Sequence, residues 1–228
     1  MKTPLHVIFI IFSLQAILPV GAGAQHPDNG PKQGQTWTVP FASKDNVIEL
    51  TVANPPDQPV GNLTVRAGEV PSWMRLHNPE QAIGELGPGR EMVARFTFDV
   101  EETAGVNQPA VLHIIVSNPD GFRQEKRLTL QVEAPREFEL RQNYPNPFNP
   151  STTIAFQLPA AAEIRLEVFD VLGRRVATLV EGQAFPAGGH TVPFDGASLA
   201  SGLYLYRLSG QTSAGRSFLQ TKKMMMVK

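Results

Sequence analysis

The sequence predicts an all-β protein of two small β-sandwiches in tandem, following a cleaved leader. Three observations lead there. Apolar residues alternate with period two from Trp37 to Val132, and again from about Leu140 to the end. The chain holds 20 proline and 19 glycine residues, which disfavours long helices and supplies many turns. Its 228 residues suit one large domain or two small ones, at roughly 100–200 residues each. Composition also removes several classes of function. With no cysteine there is no disulfide scaffold, thiolate zinc site or thiol nucleophile. A formal net charge of −1 does not suggest a nucleic-acid binder, so no nucleic-acid partner is expected.

Residues 1–24 read as a secretory signal peptide. Lys2 supplies a charged start, Val7 to Leu18 is an apolar run, and Ala22-Gly23-Ala24 fits the small-x-small cleavage pattern. Cleavage between Ala24 and Gln25 makes Gln25 the first mature residue. The apolar run is too short to span a bilayer, which takes about 20 residues. Residues 25–35 are polar, without periodicity, and read as a flexible lead-in.

Residues 36–134 form the first domain. Val47 to Val52 is a strand candidate. In Met92 to Val100, residues Met92, Ala94, Phe96, Phe98 and Val100 share one face and Val93, Arg95, Thr97 and Asp99 the other. Val111 to Ser117 is apolar on both faces and suits a central strand. Leu128, Leu130 and Val132 complete the alternation. Turn signals separate these runs at Asn54-Pro55-Pro56-Asp57, Gly87-Pro88-Gly89 and Asn118-Pro119-Asp120-Gly121. About seven short strands with no helical pattern argue for an immunoglobulin-like sandwich.

Residues 135–142 are assigned as a linker, since Glu133 to Glu137 holds no apolar residue larger than alanine. Residues 143–228 form the second domain, with strands expected at Thr153–Leu158, Ile164–Phe169, Arg175–Leu179, His190–Phe194, Leu203–Leu208 and Ser217–Val227. Charge divides along the same line. Residues 25–135 carry nine Lys/Arg against 14 Asp/Glu, and residues 136–228 carry ten against seven.

The second domain carries an ordered set of motifs. Asn143-Tyr144-Pro145-Asn146-Pro147-Phe148-Asn149-Pro150 opens it. Phe169-Asp170-Val171-Leu172-Gly173-Arg174, Gly188-Gly189-His190, Phe194-Asp195-Gly196 and Gly202-Leu203-Tyr204 follow, and Lys222-Lys223-Met224-Met225-Met226-Val227-Lys228 closes it. Residues before proline avoid the helical region, so the first motif is expected to be extended, with Tyr144 and Phe148 plugging the domain's end. Gly173, Gly189, Gly196 and Gly202 are expected to supply positive φ at turns.

This ordered series, at the chain's end, resembles the type A C-terminal sorting domain of the type IX (Por) secretion system of Bacteroidetes-like bacteria. The resemblance implies export through the periplasm and recognition by an outer-membrane translocon. A sortase-like peptidase then cuts, here between Glu133 and Asn143, and joins the product to anionic lipopolysaccharide or releases it. It implies that Gly202, Tyr204 and Lys222 to Lys228 carry the sorting signal. Phe194 stands where the family commonly has tryptophan, and Met225 and Met226 stand where it has branched aliphatics. An open edge on the last strand would allow reading by strand addition.

The first domain resembles the Ig-like accessory modules of secreted bacterial proteins, through Pro71-Ser72-Trp73, Leu86 to Glu91 and the Phe96 strand. Its catalytic prospects are few. HExxH, GxSxG, GxxxxGKS and GxGxxG are absent. His113 in an apolar strand reads as a hydrogen-bonded sandwich residue. Glu101 and Glu102, adjacent on a strand, point apart. Asp99, Glu101, Glu102 and Asp120 are oxygen donors for calcium but lack an EF-hand pattern. Trp37 and Trp73 read as core aromatics ahead of a sugar platform. The expectation is a non-enzymatic protein without cofactors, secreted or held on the outer membrane's outer face, whose first domain binds a glycan or protein. Two rivals stand beside it. One is an accessory module of a secreted glycosidase or peptidase. The other is a periplasmic assembly factor with an Ig domain like that of hook-capping proteins.

Overall fold

A computed structural model of the chain describes residues 9–13, 36–54 and 59–228. They form two compact units, Met1–Glu133 and Ala134–Lys228. The described residues contain strands and no helix, and each unit is an Ig-like sandwich. The expected cleavage residues Ala22, Ala24 and Gln25, the lead-in 25–35 and the turn residues 55–58 lie outside the described residues.

In the first unit, β1 (Phe9–Ser13), β3 (Asn46–Ala53), β7 (Glu91–Val100) and β5 (Met74–Leu76) form one sheet in the order β1-β3-β7-β5. β1, drawn from the apolar run of the expected leader, pairs antiparallel with β3. The facing sheet is β2 (Thr36–Val39), β9 (Arg123–Val132), β8 (Pro109–Ser117), β4 (Val60–Ala67) and β6 (Glu80–Leu86). β8 is interior to that sheet, as its two apolar faces require. The alternation fills the core with Leu50, Val52, Phe96, Phe98, Leu112, Ile114, Val116, Leu130 and Val132. Met92 departs from its expected face and is exposed, close to the start of β7. Trp73 is buried in the core and Trp37 packs against it. His113 Nδ1 lies 2.7 Å from a Glu125 carboxylate oxygen. Asp99 gathers with Asp45 and His77, and not with Glu101, Glu102 or Asp120. The Asp45 amide, followed by His77, holds the Asp99 carboxyl below its ordinary range.

In the second unit, β10 (Glu139–Leu140), β11 (Ser151–Leu158) and β14 (Gly188–Asp195) form a three-stranded sheet. β13 (Arg175–Phe185), β12 (Ala162–Phe169), β15 (Gly202–Thr212) and β16 (Ser217–Met226) form a second, in that order. The edge strand β13 is irregular, because its register with β12 slips between Ile164/Arg165, Leu166/Glu167 and Val168/Phe169. The other edge, β16, runs in unbroken register with β15. Residues 138–142, expected in the linker, belong to this unit. Leu140 is fully buried, and Phe138 stacks on Phe218 with ring centroids 4.1 Å apart. A strand of two residues shows no period, which hides β10 in the sequence. Its burial comes from packing against residues some 80 positions later, such as Gln220, whose side chain receives the Leu140 amide at 2.8 Å.

Candidate functional site

The motif residues of the second unit assemble around the end of the last strand. Phe148 is the anchor, at 1% exposure. Its ring lies 6.0 Å from that of Phe194, and its backbone bridges in parallel to Met226. The Phe148 amide donates to the Met225 carbonyl at 2.9 Å, and the Val227 amide donates back to the Phe148 carbonyl at 3.0 Å. The Asn146 side-chain oxygen accepts the Met225 amide at 2.9 Å. Gln142 donates to the Lys223 carbonyl at 2.7 Å, and the Lys228 amide donates to the Ser201 hydroxyl at 3.0 Å. The margin of the last strand is therefore occupied at Lys223 and from Met225 to Val227, so the open edge that strand addition would need is not present there.

A buried polar knot fixes the loop that makes this clamp. Asn143, at 2% exposure, donates through its side chain to the Thr152 hydroxyl (2.9 Å) and the Pro145 carbonyl (3.0 Å). The Tyr206 hydroxyl accepts the Asn143 amide at 2.9 Å and donates to the Arg141 carbonyl at 2.7 Å. Burial raises the Tyr206 phenol to about 12. The segment is a compact turn rather than extended, and the Tyr144–Pro145 and Asn146–Pro147 peptides are cis. Tyr144 does not plug the domain. It alternates outward from Asn143 and is 83% exposed. Pro145, Pro147, Asn149 and Pro150 are exposed turn residues.

Two glycines matter for different reasons. Gly173 has φ +78°, in a turn closed by its amide on the Asp170 carbonyl at 3.0 Å. Gly196 does not take positive φ. A Cβ there would lie 3.0 Å from Phe148 Cε2 and 3.3 Å from Met226 Sδ, so it is needed for close approach. Gly188, rather than Gly189, takes positive φ.

The turn after β12 is self-contained. The Asp170 carboxylate accepts the amides of Leu172 (2.9 Å) and Arg174 (3.0 Å) and the Arg174 guanidinium (2.6 Å). Burial works against that charge, yet these donors hold the carboxyl below its ordinary range. On the outer face of the same sheet, Glu167 is 4% exposed and is held by Arg175 (2.8 Å) and Arg207 (3.0 Å). Arg175, with Arg207 adding to it against burial, keeps the Glu167 carboxyl low. The Arg207 guanidinium also lies over the Phe169 ring, 4.4 Å from its centroid. Tyr206, Glu167, Arg175 and Arg207 escape the motif reading, because their partners come from strands far apart in sequence. The signal for Glu167 is a carboxylate near the end of β12, opposite Arg207 on β15 and within reach of Arg175 at the start of β13.

Of the sorting-signal residues, Tyr204, Met224 and Met226 point into the core, and Lys223, Met225, Val227 and Lys228 are exposed. Gly202 and Lys222 are half-buried. The Tyr204 hydroxyl donates to the Ala200 carbonyl at 2.9 Å.

The family of proteins described as "Secretion system C-terminal sorting domain" matches residues 142–225. The second unit is accordingly a type IX secretion C-terminal sorting domain, and the chain is a protein that carries one. Such a tail implies engagement with the type IX machinery and secretion or attachment at the outer-membrane surface. No curated protein matches the chain. Among solved structures, the Pseudomonas aeruginosa CupB2 chaperone is 13% identical, over 84% of this chain and 98% of that one, with a TM-score of 0.29. Dimeric latent PorU from Porphyromonas gingivalis is 13% identical, over 96% of this chain and 20% of that one, with a TM-score of 0.31. The calcium binding domain CBD12 of CALX1.1 is 6% identical, over 78% and 79%, with a TM-score of 0.34. Similarity at these scores supports no functional argument.

Proposed function

We propose that the chain is a non-enzymatic protein that crosses the outer membrane on its sorting domain and delivers the Ig-like first unit as a binding module for a glycan or a protein. The observation that carries the export reading is the family match over residues 142–225, together with the closure of its motifs around the terminal strand. In this reading the signal peptide ends at Ala24, a sortase-like peptidase removes the second unit, and the product is joined to anionic lipopolysaccharide or released.

The test is expression of the full chain in a type IX-competent host, with and without Lys222–Lys228, followed by intact masses from each cell fraction. The expected result is loss of the second unit and appearance at the surface or in the medium for the full chain only. Retention of both chains in the periplasm with the second unit intact would overturn the reading and favour a periplasmic assembly role.

A further inference from the structure

Three segments remote in sequence meet at one end of the outer face of the four-stranded sheet. Register places Phe169 beside Leu205, Leu205 beside Lys223, and Leu203 beside Met225. These residues alternate with the buried Val168, Tyr204 and Met224, so they face away from the core. Leu203 is 38% exposed and Met225 41%. The turn at the same end of the sheet adds Val171 at 64% and Leu172 at 75% exposure.

Folding does not account for that turn. Its geometry is set by the Asp170 carboxylate and by Gly173, so polar residues at positions 171 and 172 would close it equally well. Two consecutive apolar residues in water add nothing to the core. Cations surround them. Arg174, Arg175, Arg207 and Lys223 border the patch against two carboxylates, Asp170 paired with Arg174 and Glu167 paired with Arg175 and Arg207, so four positive charges less two negative leave the rim a net positive charge. The Arg207 guanidinium is fixed over Phe169, which pre-organises the rim.

We propose that this end of the sheet, centred on Leu172, Leu203 and Met225, is a docking surface for a protein of the export machinery that presents an apolar knob within a ring of carboxylates. The inference rests on the export reading and deepens it. Because the surface exists only when residues 169–175, 203–207 and 223–225 are brought together, it reports that the domain is folded. A linear reading of the last seven residues would not.

The test uses the full chain in the same host. Leu172→Glu with Leu203→Glu places two carboxylates in the centre, Lys223→Glu reverses the rim, and Leu172→Ser is a mild second variant confined to the turn. Gln211→Glu, at the far end of the same face, is the control. Each chain is first purified and its melting midpoint compared with wild type. The expected result is external protein lowered about tenfold or more by the double variant, the loss of a contact of hot-spot strength. Lys223→Glu and Leu172→Ser lower it less, and Gln211→Glu leaves it unchanged. Wild-type export of the folded double variant, or of Leu172→Ser where the double variant does not fold, overturns the docking surface while the export reading stands. Failure of the unaltered chain to leave the periplasm removes the export reading itself. Flotation of the purified chain with lipopolysaccharide vesicles, abolished by Leu172→Glu while export persists, would make the occupant a lipid and also overturn the proposal.

Discussion

Replacing Tyr206 by phenylalanine keeps the ring and removes one oxygen. That oxygen holds two segments at once, accepting the Asn143 amide at 2.9 Å and donating to the Arg141 carbonyl at 2.7 Å. Tyr206 has 0% exposure, so no water replaces it without rearrangement. Each hydrogen bond contributes about 0.5–1.5 kcal/mol, which gives a loss of about 1–3 kcal/mol for Tyr206→Phe. For a unit of this size that is a fall in melting midpoint of about 4–24 °C. The assay is favourable, because all three tyrosines lie in the second unit and both tryptophans in the first. Tyrosine absorbance thus follows the sorting domain, and tryptophan fluorescence follows the first unit. The phenol gives an independent readout. Its folded pKa is raised from 10.0 to about 12 by burial. The fold favours the neutral phenol, so this contribution is complete below pH 10.0 and is lost as pH rises towards 12. A titration step near pH 12 should be present in wild type and absent from Tyr206→Phe. An unchanged melting midpoint, or a high-pH step that survives the substitution, would refute the knot.

Phe148→Ala should cost about 3–5 kcal/mol, as for other buried phenylalanines, and lower the tyrosine-reported transition without moving the tryptophan-reported one. Gly196→Ala should cost about 1–3 kcal/mol in the same assay, since the added methyl meets the Phe148 ring. Glu167→Gln should cost about 1–2 kcal/mol at neutral pH, a buried-pair effect reduced because both arginines reach solvent. The low carboxyl pKa means that the wild-type contribution is complete above pH 4.5 and is lost as pH falls below it, so the variant's stability should lack that acid-dependent step in denaturant titrations.

Alternation made most of the fold legible. Leu128, Leu130 and Val132 and the residues of β7 carry their burial in their spacing, because a strand's period depends on neighbours two residues away. The short β10 strand was not legible, since two residues show no period and Leu140 is buried by Gln220 and its neighbours. The motif residues were legible as a set but not in role. Alternation after Asn143 decides that Tyr144 faces water, and the proline-rich spacing conceals it. Gly196 reads as a turn glycine until Phe148 is seen against it. Asp170 and Gly173 define their turn locally and could be read directly. The joining of Leu172, Leu203 and Met225 depends on strand order, which local pattern does not contain.

The two margins of the sorting domain's larger sheet are unequal. β13 departs from register three times along its pairing with β12, whereas β16 is regular, with its Lys223 carbonyl taken by Gln142 and its end covered by residues 146–148. A bulged margin resists edge-to-edge joining, and a regular one permits it. A sheet with two regular margins can add copies at both sides and grow into a filament. This one has a single usable side, so two copies meeting there form a two-fold pair with irregular outer margins, and growth stops. At high local concentration such chains would be protected from polymerising by the irregularity of a strand that contributes few side chains to the core.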